Sequence, residues 1–523
     1  MTIHILKNRS FRIIAIVMAM ILLIIVILQF GAKRYIVNLL NVKIPDHIHL
    51  GYKQMGVNVL AGSIELRDVI LELRDKGTGD KHLELRSEML NLDGLGYLNY
   101  LFGNTFSLNE IKLLRPKVNY YPGQLSTKHD TIRTKGFVME TVLSIANLAI
   151  VDGEFQVIEK GADSLDFLVE KVNLFVENLK TDQDFIGRKI PFSFGDYNLS
   201  TGKLFVDLGP FEALTVRGVS IQNKDVQLNN LSLSSKYNKV ALSRELDKEH
   251  DYIDLEIPQV KLSKMDFGFN SDQFYLRTNL VQIHNPTLFL YRDKLIQDDW
   301  EQKKLYSRML RELPIDLDIS EVDIANGHIT YAELVEKGTT AGELVFSDLN
   351  ATLNNISNTY ENIEETKIEA RAKLMGKAQI QLRWNFDTSK ENDAFYISGE
   401  VKDFDSESFN QFLQSNLRAK AEGDIKELYF TISGDAISAS GDMKMKYEDF
   451  HFKVLKKDRL GVNKLLTFVG NMFTNDGSKT DAMGYRHGEI FAKRDGTKSF
   501  FNYLWLNVKD GIVNTLTGDG KKE

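Results

Sequence analysis

The chain has 523 residues, of which 43% are apolar and 26% charged, and its formal net charge is −7. This composition is typical of a folded protein with a large core, and the absence of a basic field excludes nucleic acid as a partner. The sequence contains no cysteine, which excludes disulfides, thiolate chemistry and Cys-ligated zinc.

A long apolar segment lies near the N-terminus. Residues 13–32, "IIAIVMAMILLIIVILQFGA", contain no charged side chain, and a helix of this length spans roughly 30 Å, the thickness of the hydrocarbon layer. The segment exceeds the apolar region of a cleaved signal peptide, and the following "LQFGAKR" offers no small-x-small cleavage site. We therefore predict a transmembrane signal-anchor helix over 13–32, preceded by a cytoplasmic N-terminus over 1–12.

Short segments of alternating hydropathy follow the anchor. The clearest is "AQIQLRWNF", in which alternate positions are apolar and the positions between them are polar. The apolar face carries Ala378, Ile380, Leu382, Trp384 and Phe386. Strict alternation predicts antiparallel sheet with one apolar face and one wet face. In residues 62–73 the alternation changes parity near Arg67 and Asp68, which indicates a β-bulge.

Two stretches that lie 174 residues apart share one pattern. "LAIVDGEFQVIEK" (148–160) and "VDIANGHITYAEL" (322–334) each suggest two strands folded about an Asp-Gly or Asn-Gly turn. Further segments match in the same order, offset by about 170 to 177 residues. We interpret the matches as an internal duplication, the alternative being that hairpins of any β-meander look alike. The predicted repeat regions are 33–300 and 301–458.

Helical patterns are few, at 407–420, at 462–473 and at the C-terminus. The last runs from Thr497 to Leu516 within a predicted C-terminal helical cap region, 459–523. One stripe of this helix is apolar and consists of Phe501, Leu504, Trp505, Val508, Ile512 and Leu516. Two burial sites remain open for the stripe: the open end of the sheet, or a partner or membrane surface at its distal end.

Signs of catalytic or metal chemistry are sparse. The ten histidines are scattered, with His47 and His49 the closest pair, and no zinc-binding helix motif, nucleophile elbow, phosphate loop or calcium loop is present. We expect no catalytic residues, no metal ligands and no cofactor, and therefore a protein that is not an enzyme.

The order of segments resembles the AsmA-like family of Gram-negative envelope proteins, in the form common in Bacteroidota. The stretches that carry the resemblance are "MGVNVLAGSIELRDVILEL", "AKLMGKAQIQLRWNFD", "FYISGEVKDFDSESFNQFL" and "FAKRDGTKSFFNYLWLNVKDGIVNTL". The resemblance implies an inner-membrane anchor, a periplasmic body and a mainly β fold: a long, twisted, taco-like antiparallel β-groove with a few capping helices. It also implies a role in phospholipid traffic and outer-membrane homeostasis. The chain is shorter than the largest members of that family, which puts a conduit across the whole periplasm in doubt.

From the resemblance and the hydropathy we expect a lipid-binding or lipid-transfer protein that holds phospholipid acyl chains. An acyl chain exposed to water loses about 0.8 kcal/mol per methylene, so a continuous apolar trough needs no catalytic residue. The candidate lining is Ala378, Ile380, Leu382, Trp384 and Phe386, and envelope proteins are expected partners at the distal end. The alternatives are a structural scaffold of closed β-sandwiches and, third, a periplasmic enzyme.

Overall fold

The computed structural model describes residue 20 and residues 47–96, 105–122, 142–159, 164–186, 188–359, 364–454 and 480–518. Apart from Met20, the predicted anchor lies outside these residues, as does the predicted helix at 462–473. Within the described ranges, no helix combines the length and the apolar composition that a membrane crossing requires. The described chain is mainly β, which confirms the predicted class.

The chain divides into two compact units. Unit 1 comprises Met1–Asp207 and Gly218–Asn223, and unit 2 comprises Leu208–Arg217 and Lys224–Glu523. The first strands are β1 (Ile48–Gly51), β2 (Gln54–Asn58), β3 (Ser63–Arg74), β4 (Lys81–Asp93), β5 (Thr105–Leu114), β6 (Lys117–Tyr120), β7 (Val142–Ile158), β8 (Leu165–Thr181), β9 (Tyr197–Ser200), β10 (Leu204–Asp207) and β11 (Glu212–Gln222). The later strands are β12 (Asp225–Ser235), β13 (Tyr252–Ser263), β14 (Asp266–Asn270), β15 (Gln273–His284), β16 (Thr287–Asp293), β17 (Asp316–Leu334), β18 (Gly342–Ser357), β19 (Thr366–Leu374), β20 (Ala378–Phe386), β21 (Phe395–Asp405), β22 (Ala419–Gly434), β23 (Ser438–Val454) and β24 (Arg486–Lys493).

Among the residues that the structure describes, helices are short except at the C-terminus. They are α1 (Gln183–Ile186), α2 (Lys239–Glu245), α3 (Tyr306–Arg311), α4 (Asn410–Phe412) and α5 (Phe500–Thr517). A 3-10 turn, Ser406–Phe409, precedes α4, and a π-helical turn, Leu413–Leu417, follows it. The predicted helix at the C-terminus is thus present, and the one predicted at 407–420 is present as helical turns over 406–417, with β22 beginning at Ala419.

The sheet of unit 1 is mixed. Strand β3 pairs antiparallel with β4, and β4 pairs antiparallel with both β5 and β6. Strands β5 and β6 then run parallel to β7, which pairs antiparallel with β8. The prediction of an antiparallel sheet is therefore wrong at β7, because β6 ends at Tyr120 and β7 begins only at Val142, a separation that does not require the two strands to be antiparallel.

The same pairing order recurs in unit 2. Strand β12 pairs with β13, β13 pairs with β15 and β16, and both run parallel to β17, which pairs antiparallel with β18. The pair Leu85 and Val118 in unit 1 corresponds to Leu255 and Leu288 in unit 2, each 170 residues later. This recurrence of the pairing order is what an internal duplication would produce. Strands β19 to β24 then continue antiparallel in chain order.

The two predicted hairpins are wrong. Both Asx-Gly pairs lie inside one continuous strand, β7 (Val142–Ile158) in the first copy and β17 (Asp316–Leu334) in the second. Asp152 and Asn326 adopt left-handed φ angles of 55° and 56°, and the register shifts at the glycine that follows each of them. An Asx-Gly pair supplies positive φ for a G1-like bulge as readily as for a hairpin turn, so the chain bends without reversing.

The glycine of each bulge is held against a proline of the neighbouring strand pair. A Cβ added to Gly153 would approach the Cγ of Pro116 to 3.2 Å, and one added to Gly327 would approach the Cγ of Pro286 to 3.3 Å. The residue after each glycine donates its backbone N–H to the carbonyl of the same proline, at 2.7 and 2.8 Å. The bulge is therefore the same packed structure in both copies.

Left-handed residues form a line across each sheet, which we call the crease. In unit 1 they are Asp68, Arg115, Asp152 and Lys171, and in unit 2 they are Asn230, Asn285, Asn326 and Asp348. At Asp68 the register continues unchanged from the pair Arg67–Met89 to the pair Val69–Ser87. The β-bulge predicted here, which would insert one extra residue, is therefore wrong. The left-handed residue itself inverts the alternation, and Leu66 and Val69 consequently share one hydrophobic cluster.

Candidate functional site

One face of the unit 1 sheet carries two rows of cross-strand apolar neighbours above the crease, on the side of β1, β6 and β10. The first row is Ile48, Leu73, Leu83, Tyr120, Val157, Phe167 and Val206, and the second is Leu50, Leu71, Leu85, Val118, Phe155, Val169 and Leu204. Every one of these side chains remains partly exposed. We call these two rows the open strip of unit 1.

The other face of the same strands is ionic. Glu72 and Glu84 lie opposite each other on β3 and β4, and Lys81 bridges them at 2.9 and 2.6 Å. Hydrogen bonds from Lys81 lower the pKa of both carboxyl groups below the usual range. Farther along, Lys117 pairs with Glu154 at 2.7 Å. The sheet therefore separates an apolar face from a charged one.

Buried clusters lie on the same apolar face, next to and below the crease. Leu108, Ile145, Val176 and Leu179 form one buried cluster, and Met55, Leu66 and Val69, which span the crease at Asp68, form another. Of the open strip, only Leu50 packs against either cluster. Other apolar residues below the crease, such as Leu92, Ile111 and Leu148, are partly exposed like the open strip.

Unit 2 repeats this arrangement. Its open strip consists of Leu233, Leu255, Leu288, Ile329, Phe346 and Leu374 in one row, and Ile253, Leu290, Tyr331 and Leu344 in the next. All ten are partly exposed. Ile257, Val260, Val281 and Val322 form a buried cluster that spans the crease, and Leu255 alone of the open strip packs against it.

A charged border lies beside the open strip of unit 2. Arg292, two residues after Leu290, forms a bidentate ion pair with Asp251, with both N–O distances at 2.6 Å. Although burial opposes its charge, the hydrogen bonds to Asp251 raise the pKa of Arg292. Tyr331 donates its hydroxyl to Glu333 at 2.5 Å, and burial, followed by the charge of Glu333, raises its pKa. The border is thus a set of satisfied polar groups.

The predicted lining residues occupy one face of β20, but that face is closed. Ala378, Trp384 and Phe386 are buried, and Trp384 stacks on Phe500 of α5 with ring centroids 4.4 Å apart. Leu382 packs against the same core and is only partly buried, and Ile380 is also partly buried. The hydropathy of β20 therefore reports a core beneath a helix, and the partly exposed apolar rows lie on earlier strands.

The buried stripe of α5 differs from the predicted one. Its buried members are Phe500, Tyr503, Asn507, Gly511, Thr515 and Leu516, whereas Phe501 is 61% exposed. Leu504, Val508 and Ile512 pack only partly against the core, and Trp505 is half-buried. A Cβ on Gly488 of β24 would lie 2.4 Å from the backbone nitrogen of Thr515. This close approach favours small residues along the contact. The predicted apolar stripe is therefore displaced by about one residue from the stripe that is buried.

The same helix covers the edge of the sheet. Phe491 of β24 donates its backbone N–H to Asp510 at 2.9 Å, and Asn514 donates to the carbonyl of Glu489 at 3.0 Å. These backbone groups lie on the edge of β24 that faces away from β23, and pairing them suppresses addition of a further strand. Of the two burial sites left open by the sequence, the helix occupies the end of the sheet.

A polar cavity of 880 Å³ lies on the face of β20–β24 opposite the core, with Arg383, Glu400 and Lys444 in its lining. Beside it, Tyr429 and Tyr485 each donate a hydroxyl hydrogen bond of 2.7 Å to Glu427. The hydrogen bond to Glu427 raises the pKa of each tyrosine to about 12.

Two of the scattered histidines contact a carboxylate. His250 contacts Glu212 at 2.6 Å and His487 contacts Asp481 at 2.9 Å. In the part of the chain that the structure describes, no group of three or more His, Asp or Glu side chains could hold a metal ion. His47 and His49 lie at the start of β1, where neither joins such a group.

Comparison with known proteins finds no family model and no curated protein that matches the chain. The residues of the open strips and their surroundings therefore carry the functional argument.

Proposed function

We propose that this chain is a lipid-binding protein of the AsmA-like type, anchored in the inner membrane through residues 13–32 with its body in the periplasm. In this role it binds phospholipid acyl chains on its apolar sheet face, where they are shielded from water, and it contributes to phospholipid traffic and outer-membrane homeostasis. The observation that carries the proposal is the pair of open strips, which leave continuous rows of aliphatic and aromatic side chains partly exposed.

Leaving apolar side chains partly exposed lowers the stability of the folded protein. Burying one large apolar side chain stabilises a folded protein by about 1.5–3 kcal/mol, so partly exposed rows give up part of that stabilisation. Large contiguous apolar patches on a folded protein mark binding surfaces. An acyl chain recovers the loss, because each methylene that leaves water contributes about 0.8 kcal/mol.

Neighbouring residues of β3 provide a matched test. Leu71 belongs to the open strip, whereas Ile70 points to the charged face opposite Arg86. In Leu71→Asp we expect loss of co-purifying phospholipid, measured by mass spectrometry per mole of protein, because an ionised carboxylate is costly to desolvate beside an acyl chain. Ile70→Asp should retain wild-type lipid. Circular dichroism checks that both variants fold, and Leu71→Gln replaces Leu71→Asp if the charge prevents folding.

Wild-type lipid content in a folded Leu71→Asp variant would overturn the proposal for this face. Absence of lipid from the wild-type chain purified in mild detergent would favour the second candidate, a structural envelope scaffold. The closed core beneath α5 is the observation that supports a scaffold, since it is built as a sandwich of helix and sheet. A reporter fused after Glu523 tests the proposed location, and activity only in the cytoplasm would contradict it.

A further inference from the structure

The polar cavity of unit 2 is a trough that runs across the strands, and we call it the polar trough. The part of its lining that comes from the sheet consists of three consecutive cross-strand rows on β20–β24. In the middle row the side chains of Phe430 and Met443 are buried in the core, so this row contributes its backbone as the floor. Asn514 and Gly518, from the end of α5, complete the lining beside β24.

The two outer rows form polar walls. One wall consists of Gln381, Glu400, Tyr429, Lys444 and His487. The other wall consists of Arg383, Ser398, Thr431, Asp442 and Glu489. The walls are two residues apart along each strand, which is about 7 Å, and four spacings of about 4.8 Å between five strands give a length of roughly 19 Å. The polar trough is therefore narrow along the strands and long across them.

Aromatic rings lie beside both walls. In the next row beyond the wall that contains Arg383, Tyr396 and Phe491 are 43% and 56% exposed, and two serines separate them. Three strand spacings place these two residues about 14 Å apart. At the other wall, the Nζ of Lys444 lies 4.8 and 4.6 Å from the ring centroids of Tyr429 and Tyr485. The polar face thus presents flat apolar surfaces next to groups that form hydrogen bonds.

The charges of the two walls nearly balance. Arg383 and Lys444 are cationic, whereas Glu400, Asp442 and Glu489 are anionic, so no field of one sign attracts a phosphate or a polyanion. Guanidinium, ammonium and amide groups donate hydrogen bonds and carboxylates accept them. A ligand that carries many hydroxyl groups and no charge satisfies both kinds of group.

The dimensions exclude a helix and disfavour a strand. An α-helix has a diameter of about 10–12 Å with its side chains, which is wider than the spacing of the walls. A β-strand partner pairs with free backbone groups along a sheet edge, and the polar trough offers side chains on a face. The cavity volume of 880 Å³ lies within the range of about 300–1,000 Å³ that is usual for small-ligand sites.

We propose that the polar trough binds an uncharged oligosaccharide of a few sugar units, which lies across β20–β24. Its hydroxyl groups bind to the two walls, and the C–H face of a sugar ring packs against Tyr396 or Phe491. The proposal goes beyond lipid binding and does not rest on it, because it uses the polar face of the last five strands and no residue of the open strips.

Isothermal titration calorimetry tests the proposal on the full-length protein in lauryldimethylamine oxide, a detergent without a sugar headgroup. The neutral probes are cellotetraose, maltotetraose and tetra-N-acetylchitotetraose, the anionic probe is tetragalacturonate, and the peptide probe is tetra-alanine. We expect at least one neutral probe to bind. Its dissociation constant should change by less than about twofold between about 50 and about 500 mM NaCl, because an uncharged ligand has no charge to be screened.

Two ring variants locate the ligand. Tyr396→Ala and Phe491→Ala each remove an exposed ring, and we expect the dissociation constant of the bound glycan to rise by up to about tenfold in at least one of them. Phe501→Ala is the matched control, because Phe501 is a similarly exposed ring on α5, and it should bind like the wild type. Circular dichroism checks that all three variants fold.

Failure of all three neutral probes to bind would overturn the proposal. Tighter binding of tetragalacturonate or of tetra-alanine than of any neutral probe would overturn the ligand class. Unchanged binding in both ring variants would overturn the placement of the ligand. Co-purifying phospholipid is measured in the same preparations, so that a failure of the proposed function is seen separately from a failure of glycan binding.

Discussion

Replacing Phe500 by Ala should destabilise the C-terminal core of unit 2 far more than the same change at Phe501. Phe500 is 5% exposed, stacks on Trp384 with an interplanar angle of 9°, and meets Phe395 edge-on at 5.5 Å. Truncating a buried phenylalanine typically costs about 3–5 kcal/mol, because transfer energy is lost and a cavity remains. Phe501 is 61% exposed, and a surface substitution of that kind usually changes stability by less than about 0.5 kcal/mol.

The assay is urea unfolding followed by tryptophan fluorescence. All three tryptophans, Trp300, Trp384 and Trp505, lie in unit 2, so the signal reports on that unit. With a slope of about 3 kcal/mol/M, a loss of 3–5 kcal/mol lowers the midpoint by about 1–1.7 M. Equal midpoints for Phe500→Ala and Phe501→Ala would refute the assignment of the buried stripe. A larger effect at Phe501 would restore the stripe predicted from hydropathy.

Two further changes test contacts of the same unit. Gly488→Ala should lower thermal stability by about 1–3 kcal/mol, because the new Cβ would lie 2.4 Å from the backbone of Thr515 and the helix must shift. Glu427→Gln should make Tyr429 and Tyr485 ionise at lower pH in an ultraviolet titration, since hydrogen bonds to the carboxylate raise both pKa values to about 12. Because the folded-state pKa values are raised, their contribution to stability is complete below the ordinary tyrosine pKa of about 10 and is lost as pH rises through 12.

Each change has a matched control. Gly56→Ala adds a Cβ whose nearest neighbour is the Cβ of Glu65 at 3.8 Å, so its melting temperature should stay close to that of the wild type. Glu369→Gln removes an exposed carboxylate paired with Arg383 at 3.6 Å and should leave the tyrosine titration unchanged. A Gly488→Ala variant as stable as the Gly56→Ala variant would contradict the close helix–sheet packing. An unaltered titration in Glu427→Gln would contradict the assigned hydrogen bonds.

Alternation of hydropathy predicted the strands well because it records the two faces of a sheet directly. Every apolar residue named on β20 does lie on one face, from Ala378 to Phe386. What alternation omits is the cover over that face. Trp384 is buried by Phe500, more than a hundred residues later in the chain, and no local pattern can report a contact at that separation.

The Asx-Gly pairs show why turn chemistry alone misled. Asn326-Gly327 and Asp152-Gly153 satisfy the requirement for positive φ, which a type I′ turn and a bulge share. The difference lies in the neighbour: Pro286 and Pro116 accept hydrogen bonds from the residue after each glycine. Pro116 and Pro286 lie 170 residues apart in the sequence, at equivalent places in the two copies, and their recurrence before the Asx-Gly pairs was the signal that could have distinguished a bulge from a hairpin turn.

The helix stripe failed for a related reason. Hydropathy favours large apolar side chains, and Phe501 and Trp505 score well by that measure, whereas the buried face includes Asn507, Gly511 and Thr515. Small residues at a helix–sheet contact permit close approach, and their contribution to packing depends on which residues of the sheet they face. Gly488 on β24 was the complementary sequence signal, since its Cβ would enter the helix backbone.

The open strips could not be read from the sequence because they exist only after pairing. Leu71, Leu85 and Val118 become neighbours through two antiparallel registers, which the hydropathy of a single strand does not report. The duplication nevertheless gives the strips a functional meaning. Exposing apolar rows lowers the stability of the fold. The row of unit 2 that contains Leu255 and Leu288 is nevertheless left partly exposed, as is its equivalent in unit 1. In the same chain, α5 buries the corresponding face of the last strands. The fold covers its apolar face at one place and leaves it partly exposed at two equivalent others, which is the arrangement that the proposed lipid ligand requires if it is to complete the missing layer.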